Sequence, residues 1–362
     1  MIAMRRHPLI GLLCLTITLF ASCEQNKLYF AFKAIRYVDS FPLEVTVSDH
    51  DSIQLNEIGI LDLAIIDSLL LISRLSDSLG YVSAYSTNNT TYLGSSFRKG
   101  RSEGEWLAPK FFSSMSISKE DDAFIAYLVD ANNNLLMVDL RNSLFSQTPI
   151  YQMIEPRFKE ELPRVMRYDD TTLFIKAAKT DGRSDVRFLW FGHQRSLIPY
   201  NCDVLNSFSV ESDRDMNVLS THIQYNREKA VVAEACLLLN AVHFYSLKED
   251  VSSTVCIGNR LLSVNDVTHE EERLRKRKCA KLIGYDRCVA VLYLNETDDV
   301  VYSEKGTASL LFFSWIGEPL LRIKLTTPVH SFAIDTNKGC LYTLNRTNES
   351  ILKWDISEAL PK

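Results

Sequence analysis

"IDSLLLISRL", residues 66–75, decides the fold. An aliphatic residue is followed by Asp-Ser and then by an almost unbroken apolar run. Asp and Ser side chains can bond the backbone two residues on, so the pair suits a tight turn between strands. The same signature recurs at Ile117-Ser118, Tyr168-Asp169, Tyr225-Asn226, Tyr285-Asp286 and Ile334-Asp335, at steps of 51, 51, 57, 60 and 49 residues.

Each copy continues alike. A very apolar strand comes next: 69–75, 123–129, 173–179, 230–236, 289–295 and 341–347. A third, aromatic-rich strand follows at 80–86, 133–140, 185–192, 241–247, 309–316 and 351–356, and five copies add a fourth at 91–97, 148–154, 195–200, 253–258 and 320–325. The inner strands that open the copies read "ILDLAII", "SSMSI", "VMRY", "THIQY", "KLIGY" and "SFAI". Four strands repeated about every 50 residues describe a β-propeller, whose blades stack because none can bury both faces alone. Six copies predict six blades in one domain over 41–362. The last copy lacks an outer strand. "PLEVTVS" and "SIQL", within 42–55, have strand alternation and no blade of their own, so they are expected to complete blade six and remove an open edge. A β-sandwich with a second domain does not explain six equal copies.

Composition is that of an ordinary globular chain: 362 residues, 46% hydrophobic, 23% charged, net charge −5. No basic excess points to nucleic acid. The N-terminus is a separate matter. Arg5 and Arg6, an apolar run from Leu9 to Phe20 and small residues before Cys23 make a secretory signal, residues 1–22. "LFASC" resembles a bacterial lipobox, which makes Cys23 the expected lipidation site and a membrane the expected partner through its palmitate-like acyl chains. Removal of the signal takes two arginines and no acid, leaving −7. Residues 23–40 read as a tether. Cys202, Cys236, Cys256, Cys279, Cys288 and Cys340 show no CxxC pair and no metal spacing; several sit in apolar runs, as buried thiols do.

The connections at 98–112, 155–164, 204–219 and 259–279 are long, and long irregular segments on a compact domain commonly carry function. One elaborated face and one plain face are expected. In "FRKGRSEGEWLAP", 97–109, the glycines beside cations suggest a phosphate loop, but the stretch follows an outer strand and lacks the Gly-Lys-Ser/Thr ending before a helix. It reads as the junction between blades one and two, with Arg98, Lys99, Arg101, Glu103, Glu105 and Trp106 free to meet a partner. "HEEERLRKRK" in 259–279 has Glu271/Arg275 and Glu272/Lys276 at i,i+4, which predicts a short exposed helix; Arg273 excludes a zinc-binding HExxH.

Catalytic signals are thin. Asp62, Arg167 and His222 are the polar side chains expected nearest the axial channel, and His222 and His330 are expected to point to opposite faces. No catalytic residue, metal ligand or cofactor motif stands out. The lipobox, "DSLLLI" (67–72) and the glycine-rich 100–106 together resemble the TolB-like six-bladed propeller lipoproteins of Bacteroidota, whose segment runs G-x-G-P-G-E-F; Gly100, Gly104, Glu105 and the aromatic Trp106 are kept. The resemblance implies fold and address rather than activity. The expectation is a monomeric, lipid-anchored protein of the cell envelope, at the outer membrane, that binds a protein or glycan on its loop-rich face. The alternative is an enzyme acting on a carbohydrate or lactone at the channel mouth.

Overall fold

The computed structural model describes residues 28–48, 50–55, 57–75, 80–102, 105, 117–120, 123–130, 132–192, 194–303 and 305–360. Three short strands come first: β1 (Ile35–Val38), β2 (Leu43–Val47) and β3 (Asp51–Ile53). Six antiparallel sheets then follow in chain order. Blade one holds β4 (Ile60–Ile66), β5 (Leu69–Arg74), β6 (Val82–Ser86) and β7 (Tyr92–Ser96). Blade two holds β8 (Ile117–Glu120), β9 (Ala123–Val129), β10 (Leu135–Asp139) and β11 (Tyr151–Glu155), with helix α1 (Leu140–Ser146) between the last two. Blade three is β12 (Glu161–Arg167), β13 (Leu173–Ala178), β14 (Asp185–Phe191) and β15 (Gln194–Leu197); helix α2 (Tyr200–Asn206) leads on. Blade four is β16 (Thr221–Asn226), β17 (Val231–Cys236), β18 (Ala241–Ser246) and β19 (Ser252–Ile257), followed by helix α3 (Val264–Thr268). Blade five has β20 (Lys276–Gly284), β21 (Cys288–Thr297), helix α4 (Asp298–Val301), β22 (Ala308–Ser314) and β23 (Pro319–Leu325). Blade six has β24 (Ser331–Asp335), β25 (Cys340–Asn345) and β26 (Ser350–Asp355). This is a six-bladed β-propeller.

Burial follows from the stacking. Middle strands have a neighbouring blade on each side, so every residue of β5 and of β18 is buried. Outer strands meet solvent and alternate, as in β23. Between blades four and five, Ala233, Val242 and Phe244 pack on Val289, Leu311 and Phe313. Between blades one and six, Leu63, Leu70 and Ile72 meet Ala333, Tyr342 and Leu344. Gly94 shows the tightness locally: a Cβ there would lie 2.3 Å from the Leu144 carbonyl oxygen, so only glycine lets α1 rest on the outer strand of blade one.

Ring closure is more elaborate than the sequence suggests. Only β3 completes blade six, pairing antiparallel with β26 through Ser52 opposite Leu352. β2 instead lies parallel to β23 as a fifth strand of blade five, and β1 lies parallel to β19 as a fifth strand of blade four. The N-terminal segment is therefore a belt along three consecutive blades. This corrects the tether reading of 23–40 from Leu28 onward: Phe30 and Phe32 are 2% and 3% exposed, wedged against His243 and Tyr245. Blade two also departs from expectation. Ile117-Ser118 is not its first turn; it lies in the inner strand β8, Ile117–Glu120, while the rest of "SSMSI" is outside the described residues.

Candidate functional site

Strand order decides which loops share an end of the ring. Connections from one blade to the next, and those between second and third strands, lie at one end; the remaining turns lie at the other. The inner strands β4, β8, β12, β16, β20 and β24 are the ones nearest the axis.

Asp62 sits where the β4–β5 register shifts between Ile60 and Asp62, an irregularity that re-aims a side chain. Its Oδ1 accepts from Lys281 Nζ at 2.6 Å, from the Leu63 backbone N–H at 2.9 Å and from the Ser331 hydroxyl. Lys281 Nζ also donates to Ser331 Oγ at 2.9 Å and to the Leu63 carbonyl at 2.5 Å. Burial pulls the Lys281 ammonium below its usual range, and the Asp62 carboxylate opposes that pull. Side chains from blades one, five and six are thus tied into one buried knot across the closure. Ser331 is 1% exposed with its hydroxyl fully engaged, so it cannot act as a nucleophile on an external substrate.

His222, second in β16, keeps part of its ring accessible, yet its Nε2 is buried with no hydrogen-bond partner among the described residues. Its pKa is pushed down to about 3, first by burial and then by the charges of Arg164, Lys176 and Arg277. It is a neutral imidazole in cationic surroundings. His330, just before β24, is turned to other uses: Nδ1 accepts from the Arg346 backbone N–H at 3.0 Å and the ring stacks on Tyr302 at 5.3 Å. Arg167 does not serve the axis. It lies at the first turn of blade three, bonded to the Asp169 carbonyl at 3.2 Å and to Asp170 at 3.1 Å. Arg164, three residues earlier, is the arginine that acts on His222. Among the described residues no three His, Cys, Asp or Glu side chains gather as a metal site. Five of the six cysteines after the N-terminal segment are buried free thiols, and Cys340 is half-buried.

At the loop-bearing end, Arg98, Lys99 and Arg101 are exposed, and Glu105 folds back to accept from the Ser102 backbone N–H at 2.9 Å. A Cβ at Gly100 would displace that Glu105 carboxylate, the free end of a flexible side chain. Glu103 and Trp106 lie outside the described residues, as does Cys23. On the opposite side of the ring, the 259–279 connection is pinned rather than loose. Ser263 and Asp266 form a capping box at α3, Val264 N–H donates to the Leu28 carbonyl at 2.8 Å, and Arg275 pairs with Asp215 at 2.6 Å. The helix expected from the 271/275 and 272/276 pairs does not form. The helix sits earlier, and "KRK" from Lys276 already belongs to β20; only a single 3-10 turn, Glu272–Leu274, remains.

The fold defines the class, a six-bladed propeller. Among solved structures the chain is similar to a DUF4221-family protein from Bacteroides vulgatus, at 9% identity and TM-score 0.47, covering 85% of this chain and 96% of that one. It is also similar to a calcium-binding protein, regucalcin, from Agrobacterium tumefaciens, at 8% identity and TM-score 0.46, covering 87% and 95%. No protein-family model and no curated protein matches the sequence.

Proposed function

We propose that the mature chain is a lipoprotein of the bacterial cell envelope, acylated at Cys23 and of the TolB-like type, whose propeller recognises a protein or glycan without transforming it. The observation that supports this most is the state of Asp62. The acid that an axial hydrolase would need is spent on Lys281, Ser331 and the Leu63 backbone, holding the ring shut. Recognition then falls to the loop-bearing end, where Arg98, Lys99 and Arg101 face solvent across the ring from the pinned 259–279 connection. Five residues from Cys23 to Leu28 reach at most about 17 Å. A lipid on Cys23 would hold this end of the propeller beside the bilayer.

Two measurements test the proposal. Palmitate labelling of cells should mark the protein and be lost in Cys23→Ser. Envelope partners captured by the soluble propeller should be lost when Arg98, Lys99 and Arg101 are all replaced by Glu. Labelling that survives Cys23→Ser overturns the anchor, and capture unaffected by the triple change overturns the face.

A further inference from the structure

Blade three carries an arrangement that protein sheets avoid. Arg164 on β12 is directly opposite Lys176 on β13, and Lys176 is directly opposite Arg187 on β14. Directly opposed residues share one face with Cβ atoms about 5 Å apart, and like charges so placed repel. The row of three cations faces blade four. Moving inward, each has less to balance it. Arg187, 1% exposed, is held bidentate by Glu234 of blade four at 2.6 and 2.7 Å. Glu234 is saturated by Tyr245 and by Thr221 at 2.6 Å, and so has nothing left for the other two. Lys176 has Asp185 at 2.6 Å and the Thr221 carbonyl at 3.2 Å. Arg164, innermost and half-buried, has no hydrogen bond or ion pair among the described residues and feels only the more distant charge of Asp185.

An arginine cannot shed its proton to relieve this, because its pKa is above about 12. It needs an anion, and the row leaves one positive charge over at its axial end.

We infer that the axial end of this row, between blades three and four, is a site for a small oxyanion, a carboxylate or phosphate group gripped by the Arg164 guanidinium. A guanidinium fork matches both groups bidentately. This goes beyond the recognition surface proposed above and is independent of it, since it concerns the isolated propeller and a small ligand. Inorganic phosphate and galacturonate, free phosphate and an acidic sugar, represent the two sources of such a group.

The test is calorimetric titration of the full mature chain with each anion, repeated on Arg164→Gln and Arg164→Lys. Binding of either anion by the unaltered protein is expected, weakened about tenfold or more in Arg164→Gln, as loss of a charged hydrogen bond implies. Arg164→Lys should fall between, and Arg167→Gln should bind as the unaltered protein does. Which anion binds identifies the source. The site is overturned if neither anion binds the unaltered chain at millimolar concentration, or if affinity survives both changes at 164. Anion binding that persists in the triple Glu variant at 98, 99 and 101, while partner capture is lost, separates the two proposals.

Discussion

Two cations on inner strands, buried Lys281 of blade five and half-buried Arg164 of blade three, differ in one respect. Lys281 meets Asp62, Ser331 and a backbone carbonyl, one acceptor for each of its three donors. Arg164 stands at the end of a like-charged row with no such set. The first arrangement is finished by the protein itself and closes a ring. The second is finished only by something else. Burial alone therefore does not mark a site; a cation in excess of its matching acids does.

The largest expected effect breaks the finished side. Asp62→Ala leaves Lys281 buried without its carboxylate, which costs about 3–5 kcal/mol, and equilibrium urea unfolding should show that loss. If Asp62→Ala is neutral, the knot does not hold the closure. Acid should act next, on the blade three–blade four side. His222 and His243 have pKa values held down at about 3 and about 4, mainly by burial. In the unfolded chain an imidazole titrates near 6.5, so the unfolded state binds protons first. Stability is full above that pH and is lost as pH falls from there toward the folded values. The Glu234 carboxyl, lowered to about 2 through Arg187 against the effect of burial, adds a loss that begins below its usual 4.5. Melting temperature measured from pH 8 to pH 4 should thus hold steady and then decline below about 6.5; in His243→Gln the decline should be shallower. An unchanged slope would mean that His243 is charged in the fold.

Smaller effects sharpen the contrast. Arg164→Gln removes a repulsion and no partner, so its unfolding free energy should stay within about 1 kcal/mol of the unaltered protein or exceed it. A fall as large as that of Asp62→Ala would mean that Arg164 is part of the architecture. Arg167→Gln loses its bond to the Asp169 carbonyl and a pair with exposed Asp170, and should cost about 0–1 kcal/mol, with thermal melting nearly unmoved.

Much of the ring was legible because turn chemistry and apolar strands repeat together. The second strand of blade two, Ala123–Val129, coincides with its expected span. Its inner strand was placed differently, because "ISKE" (117–120) has three polar residues in four and near the axis no alternation is required. The belt was hidden for a different reason. Phe30 and Phe32 alternate as strand residues do, and that signal was visible, but their partners lie more than 200 positions away, as the Phe32 N–H to Thr254 bond shows with a separation of 222. Choosing between Arg164 and Arg167 was beyond sequence. The β12–β13 register shifts between Glu161 and Arg164, and only that register reveals that Arg164, Lys176 and Arg187 form a row.

The belt also sets an order in time. Residues 35–53 leave the ribosome early, yet β1, β2 and β3 wait for β19, β23 and β26, which are made last. Closing such long loops is slow. The nascent chain therefore cannot complete its ring until almost its last strand is available.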